Sequence, residues 1–192
     1  LVEGYLDVIS CHEAGFENAV ASLGTALTSE QAKKLLRYTP SKKIIVAYDS
    51  DNAGKRAAEK GTEVLEEVAK GTGINIYILQ VPSGKDPDEF LHNEGAEEFQ
   101  KVVDNAKPII EFQLEQALIG DLTSSEGKSS IVDRCITVLL KIKHEIYRSE
   151  MIKKVVNWQH LGRRLDIREE DLRSRLKMIE FKGNKGASSQ GN

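Results

Sequence analysis

An apolar, β-branched run, Ile44-Ile45-Val46-Ala47-Tyr48, breaks off in Asp49-Ser50-Asp51-Asn52-Ala53-Gly54. If Ile44 to Tyr48 is a buried strand, two carboxylates follow its carboxyl end and a helix opens behind them. In open α/β sheets that edge is where ligands bind. Residues two apart on extended backbone point the same way. Two like charges side by side are unfavourable unless a cation sits between them or one is protonated. Hard divalent cations take oxygen donors, so Mg²⁺ or Mn²⁺ is the expected ion. The simpler alternative is that Asp49 to Asn52 only end a strand and cap a helix.

The rest of the chain sets this strand in an alternating pattern. Leu1 to Tyr5 reads as the end of a strand, and opening on Leu1 in mid-strand reads as a fragment. Asp7 to Ala14 reads as a short helix stopped by Gly15, and Asn18 to Ser22 as a second short strand. Gly24, in the loop after it, permits close backbone approach. Thr28 and Gln31 have capping-box spacing, which predicts a helix to about Arg37, before Pro40. A strand over 43–48, a helix over 53–70 and a strand over 74–79 follow. Strands alternating with helices predict a parallel sheet covered on both faces. From Glu89 onward only helices are expected, over about 89–94, 96–105, 108–119, 128–143, 149–162 and 169–180, with Pro108 in a first helical turn. Residues 182–192 are rich in Gly and Ser and are expected to be a disordered linker.

Charge divides the chain. Residues 1–127 carry 12 Lys and Arg against 22 Asp and Glu, a net of −10. Residues 128–192 carry 15 against 8, a net of +7. An acidic part that could hold metals thus precedes a basic part that could face phosphates; the simpler alternative is that helical surfaces are merely charged. The two cysteines, Cys11 and Cys135, form no disulfide framework and suit a reducing cytoplasm. No Cys/His set has zinc-ligand spacing, so zinc is not expected. No run of about 18 apolar residues predicts a membrane span.

The acidic clusters recur where strands end. Glu3 follows one, Asp49 and Asp51 another, and Asp86 and Asp88 a third, with Pro87 stiffening the last pair. Asp7 lies one helical turn beyond Glu3. Parallel strands would bring all six carboxylates to one edge, where one or two divalent ions could bind phosphate oxygens. Other motifs fail on residues. An EF-hand beginning at Asp49 would have Ala53 in its fifth position and Lys60 in its twelfth. A phosphatase with an aspartyl nucleophile prefers Thr or Val where Ala53 stands. Ser22-Leu23-Gly24-Thr25 lacks the ending of a P-loop.

Glu3-Gly4-Tyr5-Leu6-Asp7, Ala21 to Thr28, Tyr48 to Gly54 and Lys85 to Glu89 resemble, in order and spacing, the Toprim domain of bacterial replicative primases of the DnaG type. The resemblance covers about residues 1–107. Residues 108–181 resemble the helical subdomain that closes that family's RNA polymerase core. It implies DNA-templated synthesis of short RNA primers from ribonucleoside triphosphates in the cytoplasm. Glu3, Asp49 and Asp51 would be the catalytic metal-binding set, with Asp7, Asp86 and Asp88 completing the patch. Tyr5 would shape the site, unless it is a core tyrosine. Gly24, Lys55, Arg56 and Lys85 would approach nucleotides or nucleic acid, unless the three basic side chains are only solvated surface charge. The partners implied are single-stranded DNA template, the RNA primer and the replicative helicase, the last through a carboxy-terminal domain absent here. The family's zinc-binding domain and basic amino-terminal half are absent too, so this segment alone is expected to be weakly active or inactive. The alternatives are another Toprim enzyme, a nuclease or topoisomerase, and a non-catalytic partner-binding fragment.

Overall fold

The computed structural model describes residues 1–22, 27–48, 52–82, 86–160 and 162–188. The chain divides into two compact units, Leu1–Ile109 and Ile110–Asn192.

The first unit contains α1 (Tyr5–Glu13), α2 (Ser29–Arg37), β1 (Lys43–Tyr48), α3 (Asn52–Ala69), β2 (Asn75–Gln80), α4 (Pro87–Asp104) and β3 (Lys107–Pro108). The capping box at α2 is formed: Gln31 N donates to Thr28 Oγ1 at 3.2 Å, and Thr28 N donates to Gln31 Oε1 at 2.9 Å. β1 and β2 run parallel, in register from Lys43↔Asn75 to Tyr48↔Gln80, with α3 as the crossover. Ile44, Val46, Ile76 and Ile78 are buried on one face of this pair. Ala47 and Leu79 join Val2, Cys11, Val81, Phe90, Leu91 and Phe99 in a cluster on the other. Both faces are therefore covered, as a parallel sheet requires.

The amino terminus departs from expectation. Val2 forms only an isolated parallel bridge with Ala21, although Leu1 also accepts from Ala47 N at 2.8 Å beside β1. Tyr5 already belongs to α1, because Gly4 is its extended N-cap and Asp7 accepts from the Gly4 N–H. The sheet is also mixed: Tyr77↔Pro108 and Ile78↔Lys107 pair antiparallel. Pro108 therefore sits in a strand and not in a helical turn. A residue with no N–H is tolerated there because the strand is at an edge. The two helices expected around Gly95 are one element broken at that glycine, whose φ of 84° no helix accommodates.

The second unit contains α5 (Ile109–Leu118), α6 (Ser125–Leu139), α7 (Glu145–Asn157), β4 (Gln159–His160), β5 (Arg163–Arg164) and α8 (Glu169–Ser188). Ile131, Val132, Cys135, Ile136 and Leu139 line one face of α6 and meet Met151, Ile152, Val155, Leu172 and Leu176. The expectation of helices alone fails at β4–β5, an antiparallel ribbon. Trp158 turns extended at the end of α7, and Gly162, with φ of 73°, lets the ribbon reverse. α8 continues to Ser188, beyond the expected stop near 180 and into the stretch read as linker. Once a helix is nucleated, each further residue adds a hydrogen bond.

α6 starts three residues earlier than its apolar periodicity suggests, because Ser124 caps it: Gly127 N donates to Ser124 Oγ at 3.0 Å. Asp121 locks the approach, accepting from Thr123 N at 2.7 Å and from Ser124 Oγ at 2.5 Å. These bonds hold the Asp121 carboxyl well below the usual carboxylate range. A Cβ on Gly127 would lie 2.3 Å from the Asp121 carbonyl oxygen. Alanine ordinarily stabilises a helix interior by up to about 1 kcal/mol over glycine. Here Gly127→Ala should destabilise by about 1–3 kcal/mol, because the clash is with anchored backbone. Thermal melting followed by circular dichroism checks the sign, and an unchanged or raised Tm would contradict the packing.

Candidate active site

The site is built where two helices begin. β1 and β2 end side by side at Tyr48 and Gln80, and α4 opens at Pro87 after β2. α1 opens at Tyr5, two residues past the Val2 bridge. Asp7, in the first turn of α1, is only 6% exposed. Its Oδ2 accepts from Gly4 N at 2.9 Å, and its Oδ1 accepts from Asp88 N at 3.3 Å. One buried carboxylate thus ties the start of α1 to the start of α4. A Cβ on Gly4 would stand 3.1 Å from Asp7 Oδ2, so glycine gives the carboxylate room to fold back.

Asp86 is the N-cap of α4 and accepts from Glu89 N at 2.7 Å. Pro87 follows at the first helical position, where its missing N–H removes no bond. Asp88 is half-buried, and its Oδ1 accepts from the Ser10 hydroxyl. Phe90 and Phe99 of α4 pack together, with Phe16 edge-on to Phe99 at 5.1 Å. Each such buried ring contributes about 1.5–3 kcal/mol, so α4 is anchored by apolar contact and not by its charges.

The electrostatics follow. Burial raises the Asp7 carboxyl above its ordinary pKa; the N–H groups of Gly4 and Asp88 oppose this, and the charges of Asp86 and Asp88 raise it further. The Asp7 carboxylate is therefore held among like charges. Burial pushes the Cys11 thiol up to about 11, with Asp7 adding to the effect, and burial pushes Cys135 up to about 12. Both thiols stay protonated near neutral pH, unsuited to act as nucleophiles or metal ligands.

Of the residues singled out in the sequence, Asp7, Asp86 and Asp88 come together. Glu3 precedes the N-cap of α1 and is half-buried, with Oε1 removed from solvent. Tyr5 is 66% exposed on the first turn of α1, so it is no core tyrosine. Lys55 and Arg56 fall near the start of α3, but their side chains are outside what is described. Gly24, Asp49, Asp51 and Lys85 lie outside the described residues. Among the described residues, no three His, Cys, Asp or Glu side chains are grouped to hold a metal ion by themselves. The donors are all oxygen, which suits a hard divalent cation. Such a charge would also relieve the repulsion at Asp7.

Sequence reasoning missed Ser10. It stands three residues after Asp7 on one helix face, but that spacing alone names no partner. The second unit holds most of the chain's basic residues. There Lys128, Arg148, Lys154, Arg168, Arg173 and Arg175 each pair with a carboxylate, at 2.5–2.8 Å. Arg163 and Arg164 of β5 are exposed.

Residues 1–91 match the Toprim-like family model, and residues 110–170 match the DnaB-helicase binding domain of primase. The second match falls where the helical subdomain is expected. It departs from the expectation that the helicase contact lies in a domain outside this chain. A DNA primase of Clostridium acetobutylicum is 40% identical over 156 residues, which is 81% of this chain and 25% of that protein. The chain thus spans about a quarter of that relative's length. Among solved structures, the RNA polymerase domain of Mycobacterium tuberculosis primase DnaG in complex with double-stranded DNA superposes with a TM-score of 0.65 at 32% identity, covering 82% of this chain and 50% of that one. A DnaG primase catalytic domain bound to single-stranded DNA superposes at 0.64 and 30% identity, covering 81% and 49%. A Toprim-like segment followed by a primase helical segment, similar to primases in sequence and to primase catalytic cores in fold, places this chain in the bacterial DnaG-type primase family.

Proposed function

We propose that this chain is the metal-binding part of a primase that makes short RNA primers on single-stranded DNA from ribonucleoside triphosphates. The observation that carries the reading is the junction of Asp7 and Asp88 at the starts of α1 and α4, with Asp86 capping α4. In this reading Glu3, Asp49 and Asp51 hold one or two Mg²⁺ or Mn²⁺ ions. A bound divalent ion supplies positive charge for the primer 3′ hydroxyl and the departing pyrophosphate. Asp7 holds the two helix starts in place, and Asp86 and Asp88 add negative charge that favours the cation. The exposed Tyr5 ring, on the first turn of α1, is assigned to face a nucleotide. Gly24, Lys55, Arg56 and Lys85 are assigned to phosphates or nucleic acid, and Arg163 and Arg164 to the DNA backbone. The parent acts in the cytoplasm, where replication takes place. Among the described residues no helix is long and apolar enough to cross a membrane.

A second role is favoured by the family match over residues 110–170. We assign contact with the replicative helicase to this unit, in addition to any contact made elsewhere in the parent. Titrating the cognate helicase into this chain tests it, and absence of binding would remove the assignment. Catalysis needs the rest of the parent, so the chain alone should prime weakly or not at all.

Two outcomes test the metal reading. Calorimetric titration with Mn²⁺ should show binding to this chain that Asp49→Asn combined with Asp51→Asn abolishes. The metal-free double variant should melt no lower than wild type, because two repelling charges are gone. Unchanged Mn²⁺ binding would reject the ligand assignment, and a large fall in Tm would favour a capping role for the pair. In the complete parent, Glu3→Gln keeps the side-chain size and removes the charge. Primer synthesis on single-stranded template should fall at least about a hundredfold, the scale of losing one preorganised electrostatic stabiliser. Near-normal synthesis by a variant with wild-type circular dichroism would reject the mechanism.

A further inference from the structure

We propose that the amino-terminal ends of β1 and β2, with the last turn of α2, form a surface that binds the phosphate backbone of single-stranded nucleic acid. The surface uses none of the acidic residues and does not depend on the metal reading.

Residues 31–43 and 70–78 hold six Lys and Arg and no Asp or Glu. The six are Lys33, Lys34, Arg37, Lys42, Lys43 and Lys70, half of the 12 in a stretch, 1–127, whose net charge is −10. The fold joins the two segments. Asn75 N donates to Lys42 O at 2.9 Å, and β1 and β2 begin in register at Lys43↔Asn75. Tyr48, at the other end of β1, is roughly 16 Å away along the strand. All six side chains are exposed. Among the described residues none of them is paired with a carboxylate.

Their surroundings leave the charge uncancelled. Lys43 Nζ stands 4.7 Å from the centre of the Tyr77 ring, and the Arg37 guanidinium 5.9 Å from that of Tyr38. A ring attracts a cation without neutralising it. Lys42 takes the left-handed backbone region, with φ of 52°, which residues other than glycine seldom adopt. Its ammonium lies close to Gly73, where a Cβ would be 3.9 Å from Nζ, so no side chain there covers it.

The distribution of these charges selects the partner. They are spread over α2, the start of β1 and the turn after α3 instead of converging on one point, which suits a linear polyanion. Five of the six are lysines, flexible point charges that can follow a phosphate chain, whereas fixed two-pronged capture of carboxylates is the work of arginine. Tyr38, 76% exposed, sets an aromatic ring among them. A ring beside a basic track gives an unpaired base a face to stack on, and a duplex offers no such base.

The test is fluorescence anisotropy of a labelled oligothymidylate titrated with this chain in EDTA, so that no divalent ion contributes. The logarithm of the association constant should fall linearly with the logarithm of salt concentration, by about 0.7 per phosphate contacted. Lys34→Gln, Lys42→Gln and Lys70→Gln should each lower that slope by about 0.7, and together by about two, with affinity at low salt down about tenfold or more. Tyr38→Ala should weaken binding about tenfold at every salt concentration with the slope unchanged, and Tyr38→Phe should restore it. Arg163→Gln combined with Arg164→Gln tests whether the second unit is responsible instead. Undetectable binding at low salt would overturn the proposal. So would wild-type affinity and slope in the lysine variants, or a loss confined to the arginine variant. Equal affinity for polyglutamate of the same length, or for duplex DNA, would overturn the choice of partner, as would wild-type binding by Tyr38→Ala.

Discussion

The Asp7 carboxylate is the interaction on which the first unit's geometry turns. Its two oxygens accept from Gly4 N and Asp88 N, which are 84 residues apart along the chain but both lie at helix starts. Every helix start leaves N–H groups without intrahelical partners. Here a single side chain satisfies one such group from each of two helices. It also explains why α1 begins at Tyr5: the capping geometry at Gly4 outweighs the β-like composition of Leu1 to Tyr5.

Magnitudes decide why this arrangement points to a ligand. Burying a carboxylate carries a penalty of several kcal/mol in real proteins. A hydrogen bond to a charged group returns about 1.5–3 kcal/mol. Two bonds offset much of the burial, but they do nothing about Asp86 and Asp88. The net result is a raised Asp7 carboxyl, with burial as the largest cause and the neighbouring charges adding to it. For an acid raised in the folded state, the stabilising effect is present below the unfolded pKa and is lost as pH rises through the folded one. Ionising Asp7 therefore works against the fold. A pure structural tie would be better made by a neutral acceptor. Retaining an acid here is reasonable if positive charge visits the site.

Much of the fold was legible because local and global signals agreed. Thr28 and Gln31 announced α2, the β-branched run announced β1, and Gly95 announced a break that the backbone makes. Illegible features were those in which a tertiary partner overrides composition. Pro108 reads as a helix start, yet it pairs with Tyr77 at the sheet edge. The β4–β5 ribbon hides in residues that continue a helical pattern, and only Gly162 marks its reversal. In the site, the acidic residues stood out by type and by their places after strands. Ser10 did not, because one serine on a helix surface has no signature until its partner 78 residues away is known.

The charge division along the chain needs a finer reading than net charge allows. Some of the basic residues of the second unit pair within it: Arg148 reaches Glu180, Lys154 reaches Glu111 and Arg175 reaches Asp133, tying α5, α6, α7 and α8 together. Pairs this exposed contribute only about 0–1 kcal/mol each, so the apolar cluster around Leu139, Met151 and Leu172 must carry the unit's stability. The ion pairs add orientation between these helices, while Arg163 and Arg164 of the ribbon stay exposed.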